Sequence, residues 1–188
     1  APAQRERLAS MGQNFFSHSD TEIILRLYER YGDAFLDHIV GIFALAIVDL
    51  RRGADRPRYL LARDPLGVKP LLYREAGGEL VFASEIKAIL AAGKSERRID
   101  PVALRSLMMR GSVYQPRTLL RDVKMLEPAH LLVHEGGVST VRRYWSLSVD
   151  RRDDWRRMDY SEQVVAYRGL MDEVLQSQLI RDVPLGAF

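Results

Sequence analysis

The chain has 188 residues, 47% of them hydrophobic, and carries 28 Lys and Arg against 25 Asp and Glu for a formal net charge of +3. That is enough chain for one full domain, or one domain and part of another. It has no run of about 18 uncharged apolar residues and no basic start leading into an apolar stretch and a small-residue cleavage site, so neither a membrane span nor a secretory signal is expected and a cytoplasmic location is the default. With no cysteine, disulfide frameworks and thiolate metal sites are excluded, and His18, His38, His130 and His134 are too scattered for metal-ligand spacing.

In chain order, "APAQRERLASMGQNFF" reads as the tail of an amphipathic helix closed by Gly12. "SDTEIILRLYERYG" predicts a helix with Ser19 and Glu22 as a capping box, an apolar stripe of Ile23, Ile24, Leu27, Tyr28 and Tyr31, and Gly32 as terminator. A short helix through "DAFLDHI" precedes the apolar run Gly41 to Leu50, which reads as a strand buried on both faces. After the turn "RRGADRPR" come a strand, a Gly/Pro loop, a strand, a Gly77-Gly78 turn, a strand and a helix with Ser84 as N-cap. Short turns between successive strands predict an antiparallel sheet.

"IDPVALRSLMMRG" is a helix capped by Asp100, with Pro101 in its first turn and Gly111 at its end. "AHLLVHEGGVSTVRRYWSL" is a hairpin around Gly136-Gly137, with His130 and His134 expected on a solvent face and Tyr144-Trp145 packed at its end. The basic residues are spread along the chain. In "DRRDDWRRMD", Asp150 to Asp159, acids interleave them so closely that a solvated linker is favoured over a phosphate or nucleic-acid patch. A helix from Ser161 to Ile180 then leads into "RDVPLGAF", the kind of strand that opens a parallel sheet in an alternating α/β domain.

The densest set of chemistry-bearing residues is "LLARDPLGVKPLLY", where Arg63, Asp64, Gly67, Lys69 and Pro70 share one loop. Composition favours a structural role, with Arg63 and Asp64 bonding loop backbone or each other, over an anion site. Asp20 opens the second helix, where a carboxylate satisfies free amides and the helix dipole; with Ser19 as the cap, Asp20 is left free to face a ligand.

These blocks, in the order "SDTE", "GIFALAIVD", "RDPLGVKPL", "FASEIKAIL", "RYW" and "RDVPLGAF", resemble the glutamine-hydrolysing asparagine synthetases over almost the whole chain. The resemblance implies an α+β fold: an N-terminal-nucleophile αββα glutaminase sandwich, incomplete at its front, followed by the start of an α/β ATP-pyrophosphatase-type synthetase domain. The implied division is a glutaminase domain at 1–148, a charged linker at 149–159 and the beginning of the ATP-binding domain at 160–188. Glutamine hydrolysis would supply ammonia through a tunnel to an aspartyl-adenylate made with ATP and Mg²⁺, giving asparagine, AMP and pyrophosphate.

Such hydrolysis needs an N-terminal Cys nucleophile and oxyanion donors from an upstream Asn-Gly segment, neither of which the chain contains. The phosphate-binding Ser-Gly-Gly loop of the family would follow "DVPLGAF". The expectation is therefore an internal fragment cut at both ends, inactive alone and poorly folded, with no catalytic and no metal-binding residue of its own. By resemblance, Asp20 corresponds to the carboxylate that holds the α-amino group of glutamine. Arg63, Asp64, Gly67, Lys69, Ser84, Glu85 and Lys87 lie in a loop or near the domain junction. The implied partners are glutamine, aspartate and ATP, with no nucleic acid or membrane, and a homodimer is allowed. The alternatives are a β-lactam-synthetase-like or peptide-cyclising relative and a catalytically silent scaffold.

Overall fold

The computed structural model describes residues 2–148 and 153–179. Its elements are helix α1 (Pro2–Ser10), helix α2 (Asp20–Tyr31), a 3-10 helix (Gly32–His38), strands β1 (Ala44–Asp49), β2 (Arg58–Arg63), β3 (Leu72–Ala76) and β4 (Glu79–Ala83), helices α3 (Ile86–Ala91) and α4 (Pro101–Arg110), strands β5 (Lys124–Met125), β6 (His130–Glu135) and β7 (Val138–Arg143), and helices α5 (Asp153–Arg156) and α6 (Tyr160–Gln178). The chain divides into two compact units, 1–146 and 147–188.

In the first unit the strands form two sheets and not one: β1-β2-β6-β7 and β4-β3-β5, every pair antiparallel. Consecutive strands β2 and β3 part company because the loop between them carries the chain from one sheet to the other. Three apolar layers result, and side-chain alternation along the strands sorts residues among them. Leu60, Ala62 and Leu131 face α1, α2 and the 3-10 helix, joining Leu8, Ile23, Leu27, Tyr28 and Phe35. Their neighbours Leu61 and Leu132 point the other way, into the space between the sheets, where they meet Leu71, Tyr73 and Leu126. Leu72 turns outward from the second sheet to pack with Ile89 of α3 and with Val123. The order of layers is helix, sheet, sheet, helix.

Several local expectations are corrected by this packing. The strand buried on both faces is β2, whereas β1 is an edge strand with Val48 exposed; hydrophobic runs alone do not distinguish the two. Ser19 caps α2, but its hydroxyl accepts from the amide of Thr21, and Glu22 does not return to Ser19: its carboxylate accepts from the amides of Phe16 and Ser17 and from the Ser17 hydroxyl. The capping box is therefore replaced by a clamp on the preceding loop. α3 has Glu85, not Ser84, at its N-cap, with no side-chain cap bond.

His134 does not face solvent. It is 5% exposed, between the sheets, with Nε2 3.1 Å from the Gly78 carbonyl and Nδ1 2.9 Å from the Ser139 hydroxyl. Both hairpin turns are Gly-Gly pairs with positive φ, and Gly78 and Gly137 lie so close that a Cβ on either would be in van der Waals contact with the opposite backbone. The sheets are clasped there, which draws His134 inside.

Asp100 caps α4 as expected, its carboxylate accepting from Val102 and Ala103, and Gly111 ends the helix in the left-handed region. In the second unit Asp159 and Glu162 form a full capping box at the start of α6, one residue ahead of the expected start. The strand expected at Arg181 to Phe188 lies outside the described residues.

Candidate functional site

The 64–70 loop is a turn closed from inside by two buried charges. The Asp64 carboxylate accepts from the amides of Leu66 (3.2 Å), Val68 (3.0 Å) and Lys69 (3.0 Å). Burial works against its charge, and the loop amides outweigh that, holding its pKa below the usual carboxylate range. Arg63 turns away from its neighbour and donates to the carbonyls of Lys69 (2.7 Å), Leu126 (2.6 Å) and Gly67 (2.6 Å) and to Gln115 Oε1 (2.7 Å). Its own carbonyl accepts from the Tyr144 hydroxyl at 2.7 Å. Gly67 has φ +67°, and a Cβ there would lie 2.7 Å from Pro128 Cγ.

Every guanidinium nitrogen of Arg63 is thus engaged by backbone or by Gln115, and the side chain is buried, so the geometry supports the structural role over an anion site. Gln115 and Tyr144 lie 52 and 81 residues away in the chain, which is why the sequence did not reveal them. Their ordinary surroundings in the sequence carry no signal of this contact.

Asp20 presents the opposite case. It is the first residue of α2, exposed, and among the described residues its carboxylate has no hydrogen-bond or ion-pair partner. The backbone that carries it is fixed from both sides. Ser19 caps Thr21, Glu22 ties down Phe16 and Ser17, and the Ser17 hydroxyl accepts from the Ser19 amide at 3.2 Å. Arg5, stacked 4.4 Å from the Phe15 ring, also reaches the Ser19 carbonyl. The result is a free carboxylate on a rigid helix start, beside amides of positive partial charge.

Ser84 and Glu85 are exposed at the head of α3, where Glu85 pairs with Lys87 at 2.6 Å. The three groups of expected site residues sit on separate elements, and no hydrogen bond, ion pair or ring contact among the described residues joins them. Two cavities, of about 720 Å³ and about 510 Å³, lie elsewhere, around Tyr59 and His134 and around Tyr28 and Arg58. No group of three or more His, Asp or Glu among the described residues could hold a metal ion.

Two antiparallel sheets packed face to face between helices define an α+β sandwich. The allosteric regulatory enzyme of purine biosynthesis shares this fold: its solved structure is 22% identical, with a TM-score of 0.51, over 80% of this chain and 27% of its own. Residues 2–145 match the glutamine amidotransferase domain, and the chain belongs to that family.

Among curated relatives, asparagine synthetase [glutamine-hydrolyzing] 3 of Bacillus subtilis (strain 168) is 34% identical over 98% of this chain. Amidase chyE of Penicillium rubens is 31% identical over the same share. The chain spans 29% and 26% of the lengths of these two proteins.

Proposed function

We propose that this chain is the glutamine-handling part of a glutamine-dependent asparagine synthetase, in which Asp20 receives the α-ammonium group of glutamine. The observation that carries the reading is the unpartnered Asp20 carboxylate on its clamped helix start, within the segment that matches the glutamine amidotransferase domain. A carboxylate is the natural acceptor for an ammonium, and one without an internal partner is available without first breaking a bond. The Arg63–Asp64 loop contributes rigidity and not chemistry. Ser84, Glu85 and Lys87, with the tip of that loop, are assigned to the approach to a following domain.

In this reading glutamine hydrolysis releases ammonia to an aspartate activated with ATP, in an enzyme whose domains divide at 1–148, 149–159 and 160–188. ATP and Mg²⁺ are assigned in this proposal to other parts of the protein. A cytoplasmic location and a homodimer complete the proposal. Among the described residues no helix is long and apolar enough to cross a membrane. The likeness to amidase chyE favours a second reading in which the same glutaminase scaffold serves a different ammonia acceptor.

The test is Asp20→Asn in the full-length protein. Losing a charge-assisted hydrogen bond worth about 1.5–3 kcal/mol should lower kcat/KM for glutamine roughly 10- to 150-fold. Asparagine formation from added ammonia should stay near the wild-type rate. An equal loss of both activities would make Asp20 a structural residue and end this assignment.

A further inference from the structure

The basic residues are concentrated in one stretch of the chain, and the acidic ones are sparse there. Residues 1–93 hold twelve of each sign and are neutral; residues 94–124 hold eight Lys and Arg against three Asp and Glu, a net +5; residues 125–188 carry a net −2. The charge excess of the whole chain therefore sits in the lobe between α3 and β6.

Folding sharpens this asymmetry. All eight cations of the lobe are exposed. Two of its three carboxylates are turned inward: Asp100 accepts from the start of α4 and from Arg117, and Asp122 from Arg74, the Ser95 hydroxyl and the Glu96 amide. Among the described residues Arg97, Arg105, Arg110, Arg121 and Lys124 have no carboxylate partner.

The same lobe exposes large apolar side chains on α4: Val102 is 57% exposed, Leu104 40%, Met108 79% and Met109 69%. At 100° per residue, Leu104, Met108, Arg105, Met109 and Val102 follow one another around roughly 160° of the helix. Buried Ala103 lies on the opposite side. The exposed arc is apolar at both margins with Arg105 in its middle, and Arg110 at the C-terminal end lies over the Tyr114 ring.

From this arrangement we infer that the α4 lobe is a docking surface for an acidic protein segment, one that places a carboxylate on Arg105 between apolar side chains resting on Met108 and Met109. A cation at the centre of an apolar patch is the pattern of a protein interface, where Arg is paired within a ring of contacts that exclude water. It is ill suited to a lipid surface, which would bury that charge in hydrocarbon. Nucleic acid is disfavoured because phosphates would lie against the apolar arc, and the nearby aromatic ring of Tyr114 is already covered by Arg110.

The experiment uses the full-length protein and a fluorescein-labelled peptide of about a dozen residues alternating Asp with Leu, followed by anisotropy. Binding should weaken at least tenfold in Arg105→Glu and in the double variant Met108→Ser/Met109→Ser, and again on raising NaCl from about 0.05 to 0.5 M. A control with Arg56→Glu, outside the lobe and exposed, should bind as the wild type does. Circular dichroism melts of the variants should match the wild type, since the replaced side chains are exposed.

Three results would overturn the inference. The first is no binding, or equal binding by wild type and lobe variants. The second is stronger capture of the wild type on phosphatidylserine vesicles, lost in Arg105→Glu, which would make the surface a lipid contact. The third is resistance of Met108 and Met109 to peroxide in the native full-length protein, which would mean that the arc is already covered by the protein itself.

Discussion

Asp64 and Asp20 are the same residue type in the same unit, and the structure uses them in opposite ways. Asp64 is buried and surrounded by the amides of its own loop. Asp20 is exposed, and its carboxylate has no partner among the described residues. The difference lies in where each backbone gets its support. The 64–70 loop has no regular structure of its own, so its amides need an internal acceptor; the start of α2 is already served by Ser19 and Glu22, which leaves Asp20 spare. A polar group saturated by its own chain maintains shape, and one held rigidly but left open is available to a ligand.

The largest expected effect comes from the saturated side. Arg63→Ala would leave the Leu126, Lys69 and Gly67 carbonyls without their buried donor, at about 1–3 kcal/mol for each group that water cannot reach. A total of about 3–5 kcal/mol is expected, read as a fall in the urea midpoint with an unchanged slope. A shift within experimental error would mean that these buried hydrogen bonds carry no net energetic weight. Gly67→Ala should cost about 2 kcal/mol, because φ is +67° and the new methyl would meet the Pro128 ring.

Asp64→Asn comes next and separates charge from shape. The folded-state pKa of Asp64 is depressed, so its contribution is present above its unfolded value and is lost as pH falls through the folded value. Stability of the wild type should therefore decline from about pH 4 downward, and the decline should be shallower in the Asn variant. Parallel acid profiles would assign the acid sensitivity to other groups, of which Asp49, held well below the usual carboxylate range by Arg51, is the leading one. For Asp20→Asn the expectation reverses: stability within about 0.5 kcal/mol of the wild type, with the effect confined to glutamine use.

How much of this was legible depends on how local the cause is. α2, α4 and both Gly-Gly hairpins were readable because caps, terminators and turn residues act within a few positions, as Ser19, Asp100 and Gly136-Gly137 do. The loop-closing role of Arg63 and Asp64 was readable for the same reason. The division into two sheets was not, since β1, β2 and β3 carry similar apolar patterns and only the path of the 64–70 loop separates them. His134 was misplaced because its burial arises from Gly78, 56 residues away. Asp20 is singled out by its surroundings in the sequence, because Ser19 takes the capping role, but the backward bond of Glu22 to Phe16 and Ser17 is not legible there.

That backward bond supplies the smallest prediction and the one that bears most directly on the contrast. Burial opposes the charge of Glu22 less than the Phe16 amide and Ser17 hydroxyl favour it, so its pKa lies below the ordinary value. Glu22→Gln keeps one acceptor oxygen and loses the charge, and the global melt should barely move. Amide exchange at Phe16 and Ser17 should accelerate while Thr21, protected by Ser19, keeps its wild-type rate. If Asp20 depends on a stiff helix start to receive its ligand, KM for glutamine should rise modestly in the same variant with kcat unchanged. Faster exchange with an unaltered KM would show that the free carboxylate needs position only from Ser19, and that the clamp serves the loop alone.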